Sequence, residues 1–116
     1  MAGSLQKHPH VFAEGDQLPE LDGSLASTDL TTFTIEFTLD RPDGSTILKS
    51  TATSGVTFLA FSGGNSTFKI TWLPTDLQAG YGQEAQLRFI DSSGKAQTVK
   101  NFLLDVKPKK VAVVAP

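Results

Sequence analysis

The sequence predicts an all-β chain folded as a two-sheet sandwich, and three observations carry that expectation. Apolar and polar residues alternate with period two through most of residues 14–106, as in strands with one buried and one wet face. Clusters of Gly, Pro, Asn, Asp and Ser punctuate this alternation about every ten to fifteen residues. No stretch of useful length repeats its apolar residues at helical spacing. Six or seven short strands separated in this way fit an immunoglobulin-like two-sheet β-sandwich.

The elements follow in order. Residues 1–13 read as an N-terminal arm, because Lys7-His8-Pro9-His10 has no periodicity and Pro9 opposes a helix start. The clearest strand runs from Phe33 to Asp40, where Phe33, Ile35, Phe37 and Leu39 alternate with Thr34, Glu36, Thr38 and Asp40. Arg41-Pro42-Asp43-Gly44 closes a tight turn, since proline presets φ and glycine accepts positive φ. A return strand covers about Thr46 to Thr53, and Val56 to Phe61 is a continuous apolar run ended by Gly63-Gly64-Asn65.

Alternation resumes from Thr67 to Leu73, with Phe68, Ile70 and Trp72 on one face. Trp72 is the expected central core aromatic. Pro74-Thr75-Asp76-Leu77 interrupts, and Tyr81 stands where a tyrosine corner would tie its hydroxyl to nearby backbone. Ala85, Leu87 and Phe89 mark the next strand, Asp91-Ser92-Ser93-Gly94-Lys95 a hairpin turn, and Phe102, Leu104 and Val106 the last strand. The sandwich is thus expected over residues 14–106. Residues 107–116 form a second, C-terminal arm.

The chain has 116 residues, which fits one domain able to bury roughly 65% of its unfolded surface. Its 39% hydrophobic and 19% charged content suits a globular protein, and neither a disordered chain nor a membrane protein. Net charge is −2, so bulk attraction to nucleic acid or anionic lipid is not expected. Charge is unevenly placed, with eight of the 12 acidic residues between Glu14 and Asp43 and the basic run Lys100, Lys107, Lys109 and Lys110 near the far end. An acidic front and a basic tail permit head-to-tail stacking of copies. The start Met1-Ala2-Gly3-Ser4 lacks the features of a signal peptide, so synthesis in a cytoplasm is expected.

Catalytic schemes lack parts. Without cysteine there is no thiolate nucleophile, disulfide framework or cysteine zinc site. His8 and His10, the two histidines, sit in the arm with Pro9 between them, which argues against a metal site completed by Glu14 or Asp16 and against a Ser-His-Asp triad. Asp40 and Asp43 flank one hairpin turn, where aspartate caps backbone far more often than it catalyses. Gly63-Gly64 and Gly80-Tyr81-Gly82 lack phosphate-loop spacing. No enzyme activity, cofactor or metal is expected.

Two kinds of contact remain. The arms suit assembly: Val111, Val113 and Val114 are β-prone enough to add a strand to a partner's sheet edge, and Phe12 is an apolar anchor. Lys107, Lys109 and Lys110 suit an acidic partner surface. Alternatively, Phe58 and Phe61, outside a clean alternation and close to Gly63-Gly64, could contact a glycan.

With the strands placed, residues 14–106 resemble the immunoglobulin-like N-terminal domain of the phage baseplate upper protein (BppU-type) family and related small virion proteins of tailed phages. The counterparts are Gly15-Asp16 through Leu25, Asp29-Leu30-Thr31, the strand Phe33 to Leu39, and Pro42-Asp43-Gly44-Ser45. Phe68 to Trp72, Asp76-Leu77-Gln78-Ala79-Gly80-Tyr81 and Gly94 complete the series. Ala26-Ser27-Thr28 replaces an Asp-Gly step, and the run Val56 to Phe61 is longer than in that pattern. The resemblance implies a non-enzymatic virion component of the tail, baseplate, neck or capsid surface. Its partners would be other virion proteins and copies of itself, as a trimer or hexamer, with neither nucleic acid nor membrane. The alternative is a carbohydrate-binding module that contacts host surface glycans.

Overall fold

The computed structural model describes residues 10–17 and 20–108, and places eight strands in two sheets. They are β1 (His10–Ala13), β2 (Leu21–Ala26), β3 (Thr34–Asp40), β4 (Thr46–Ser50), β5 (Val56–Ser62), β6 (Asn65–Ile70), β7 (Gly80–Ile90) and β8 (Ala96–Lys107). One sheet has the order β1-β8-β7-β3-β4 and the other β2-β6-β5. Every pairing is antiparallel except that of β1 with β8. Strands two, six and five on one side, and eight, seven and three on the other, reproduce the immunoglobulin order. The chain is an all-β sandwich, as its periodicity implies.

The alternation on β3 does what the sequence requires. Ile35, Phe37 and Leu39 are fully buried while Asp40 is exposed, so β3 lies mid-sheet with one face on the core. Ala85, Leu87 and Phe89 of β7 and Phe102, Leu104 and Val106 of β8 extend that inner face. Opposite them Leu21, Phe68 and Ile70 come from the three-stranded sheet, and Phe68 meets Phe89 edge-on at 5.8 Å between ring centres. The two anticipated hairpin turns share one geometry. Arg41 and Asp91 each donate their N–H to the residue four positions on, and Gly44 and Gly94 take the left-handed conformation at φ 89°.

β1 overturns one expectation. His10–Ala13 is a strand of the sandwich, in parallel register with β8 from His10–Leu104 to Ala13–Lys107. Phe12 is accordingly a core residue, 7% exposed, with its ring edge-on to Trp72 at 5.3 Å. It is no assembly anchor in a free arm. A four-residue strand shows only one turn of alternation, and its partner lies some ninety residues away in sequence, so no local pattern announces it.

Trp72 is the core aromatic that was expected, 3% exposed between Phe12 and Phe37. It sits just beyond the end of β6, on the connection that crosses to the five-stranded sheet. Two charged residues close the space beside it. Lys49 reaches inward from β4, and its Nζ lies 2.6 Å from Asp76 Oδ2 and 5.9 Å from the centre of the Trp72 ring. Asp76 Oδ2 also accepts the Leu73 N–H at 2.6 Å, and both charged side chains are 8% exposed. The Lys49 stem lies against Gly55, where a Cβ would collide with it.

Tyr81 is not the corner residue. It is 68% exposed, because Gly82 at φ 69° makes a bulge whose N–H bonds Asp105 Oδ1 and turns Tyr81 to solvent. Gln83 does the tying instead. Its buried Nε2 donates to Gln78 O at 2.7 Å and Gly80 O at 3.0 Å.

Two stability outcomes follow. A Cβ at Gly23 on β2 would occupy the space of the buried Phe68 ring, so Gly23→Ala should cost about 1–3 kcal/mol by overpacking, read from urea unfolding. Asp76→Ala leaves Lys49 charged and buried without its partner, and should cost about 3–5 kcal/mol in the same assay. Asp76→Ala at wild-type stability would mean that the pair does not hold the crossing in place.

Candidate functional site

Two surfaces are the candidates. The first is the outer edge of β5, the last strand of the three-stranded sheet. β5 and β6 meet through Gly63 and Gly64, both at positive φ, in a two-residue hairpin closed by Ser62 and Asn65. Val56 and Phe58 face inward with Ile70 and Phe68 across from them. A bulge between Phe58 and Ala60 then breaks the phase, and beyond it the strand is wet. Leu59 is 51% and Phe61 43% exposed.

The named glycan-contact residues therefore part company. Phe58 is half-buried and packs against the core, so it is unavailable as a sugar platform. Phe61 is exposed on the edge. Sequence reasoning missed Leu59, because a continuous apolar run has no polar alternation to separate its wet positions from its dry ones. Lys107 ends β8 and is exposed, with its carbonyl accepting the Glu14 N–H at 2.9 Å. Lys109, Lys110, Val111, Val113 and Val114 lie outside the described residues, as does His8.

The second surface is the outer face of the five-stranded sheet. Thr38, Asp40, Thr46, Glu84, Gln86 and Asn101 line an open hollow of about 680 Å³ there. Two internal bonds orient its groups: Thr46 Oγ1 donates to Asp40 Oδ1 at 2.8 Å, and Gln86 Nε2 to Asn101 Oδ1 at 3.0 Å. Hydroxyl, amide and carboxylate groups on rigid strands can hydrogen-bond a polyhydroxyl ligand. Nothing in the spacing of these residues along the chain distinguishes them from other wet-face positions.

Asp43 is a turn cap, in keeping with the reading of the carboxylates that flank the β3–β4 hairpin. Its Oδ1 accepts both the N–H and the hydroxyl of Ser45, and its Oδ2 accepts Gln78 Nε2 at 2.9 Å. These bonds, that of the Ser45 hydroxyl first, hold its carboxyl down at about 2. Asp29, bonded to the hydroxyl and N–H of Thr31, and Asp91, bonded to Ser93 and Lys95, are lowered for the same reason.

No protein-family model matches this chain, and no curated protein matches it closely enough to be called a relative.

The turn carboxylates give an acid limb with a definite sign. Each is depressed in the folded chain, so its contribution is complete above the unfolded value near 3.8 and is lost as pH falls, for Asp43 through about 2. Thermal unfolding followed from pH 5 to 2 should show the melting temperature dropping. In the triple variant Asp29→Asn, Asp43→Asn, Asp91→Asn, the drop should be shallower. An equally steep drop would place the acid sensitivity elsewhere.

Proposed function

We propose that this chain is a non-enzymatic structural protein of a tailed-phage virion, a component of the tail, baseplate, neck or capsid surface that works through protein–protein assembly contacts. The observation that carries the assembly role is the uncharged edge of β5, where Leu59 and Phe61 are exposed on one strand; Val11, Leu48, Leu73, Tyr81 and Leu103 are exposed singly elsewhere. An edge of that kind presents unpaired backbone groups and apolar side chains together, which is what strand addition by a partner uses. The virion setting rests on the resemblance of residues 14–106 to the baseplate upper protein pattern, now on a chain with the immunoglobulin strand order. The residues proposed for reach are Val111, Val113 and Val114, with Lys107, Lys109 and Lys110 for acidic partner surfaces. Phe12 is withdrawn from that set because it is in the core.

The glycan reading keeps one favouring observation, the hollow between Thr38 and Asn101, where hydroxyl, amide and carboxylate groups stand beside the exposed Leu103, and moves there from Phe58. The two readings separate in solution. Light scattering across a range of concentrations should show the full chain associating, and a chain ending at residue 108, which retains every described strand, staying at the mass of one copy. Equal masses for both forms would overturn the proposed role of residues 109–116. A monomeric full chain whose Thr38, Gln86 and Asn101 signals shift on titration with cell-wall sugars would favour the module reading instead.

A further inference from the structure

The four edge strands of the sandwich are not equally protected, and the differences single out an acceptor. β1 has four residues, too few to offer a long ladder. β2 carries Asp22, an exposed charge, and Gly23. β4 turns a charged residue inward, Lys49 held by Asp76, and its end is bridged from Ser50 to Gly55. β5 has seven residues, Val-Thr-Phe-Leu-Ala-Phe-Ser, without a charge, a proline or a glycine. Its single protective device is the bulge at Leu59, and Leu59 and Phe61 are both exposed.

We infer that the free edge of β5 accepts Val111–Ala115 of a second copy of this chain as an added strand, a step that rests on the assembly reading above and names its acceptor. The chemistry is complementary. Val-Ala-Val-Val-Ala is uncharged and β-prone, and it follows the β8 strand after only Pro108, Lys109 and Lys110.

The donor must be another copy, because the chain's own tail cannot reach. β8 and β4 are separated by β7 and β3, three strand spacings or about 14 Å, and β5 lies across the sheet gap of about 10 Å from β3 and β4, so a strand added outside β5 is about 17 Å from β8. Residues 108–110 let Val111 stand about 14 Å from Lys107 at most. The exposed later part of β5 also lies toward the other end of the sandwich from the finish of β8. β8 finishes beside the start of β7 and the Arg41–Gly44 turn, whereas the β5–β6 turn lies with the end of β2, where Ser27 N–H bonds Gly64 O. Such a contact is either reciprocated in a two-fold dimer or repeated head to tail, which produces a ring if the rotation closes and an open chain if it does not.

Complementation of two full-length variants tests this. Leu59→Lys with Phe61→Lys blocks the edge, and Val111→Lys with Val113→Lys blocks the tail. Light scattering should find the wild-type chain associating and each variant alone at one copy, 12.4 kDa. Mixed in equal amounts the variants should form a dimer and nothing larger, since one intact tail and one intact edge remain. The dimer itself certifies that both variants fold, and circular dichroism of each checks it independently. Leu48→Lys, a substitution on the exposed face of β4, should associate as wild type does. An edge variant that associates normally beside a tail variant that does not would overturn β5 as acceptor and leave the assembly reading standing. Two variants that both behave as wild type, or a wild-type chain that stays monomeric, would overturn both.

Discussion

The buried ion pair between Lys49 and Asp76 is the constraint on which the rest of the molecule depends. Lys49 belongs to the edge strand of the five-stranded sheet, and Asp76 to the connection that carries the chain from one sheet to the other. Their contact closes the sandwich beside the Ser50–Gly55 bridge, where the chain also passes from β4 to β5. A buried pair gains little net stability over apolar residues of the same shape, because desolvation offsets the attraction. Its effect is geometric. The charge of Lys49 is satisfied by a single carboxylate, whose remaining bond comes from Leu73 N–H, so the connection and the β4 edge hold one mutual position. Trp72, between Phe12 and Phe37 with Lys49 beside it, is packed in the space this defines.

The same pair shapes the surface. By pointing a charge inward, β4 discourages an incoming strand, and the bridge from Ser50 to Gly55 closes its end. The three-stranded sheet has no equivalent device on β5. Protection is thus unequal around the sandwich, and the least protected strand is the one on which Leu59 and Phe61 are exposed. The wide sheet offers something different on its outer face, a hollow of hydroxyl, amide and carboxylate groups that is suited to small polar ligands. The uncharged edge and this hollow, which Leu103 also lines, lie on different sheets.

Much of the fold was legible in the chain. β3, β7 and the end of β8 announce themselves because a residue buried on every second position leaves its period in the sequence. The two hairpin turns are equally legible, since proline or serine positions followed by glycine determine local backbone angles. β1 and β2 were not read as strands. β1 is short and pairs in parallel with a distant partner, and β2 has Gly23 where a side chain would keep the alternation, because the Phe68 ring occupies that space. Tyr81 shows a different failure. Its place in the chain suits a corner, but one positive-φ glycine next to it sends the side chain outward and leaves the tie to Gln83.

The candidate sites divide along the same line. Phe58 and Phe61 stand three positions apart in one apolar run, and local sequence gives both the same standing. Phe58 lies opposite the buried Phe68 and packs on the core, while Phe61, opposite Ser66 beside the Gly63-Gly64 turn, lies at the end of the sheet and is exposed. Likewise Phe12 reads as an anchor in an arm until β8 captures it as a core residue. The sequence by itself determined the β class, the wet and dry faces of the long strands and the turns, because each depends on residues within a few positions of one another. Only the tertiary structure decided which strands become edges, which edge is guarded and which apolar side chains stay exposed. Those outcomes depend on pairings between residues distant in the chain, and period-two alternation carries no record of the partner a strand will find.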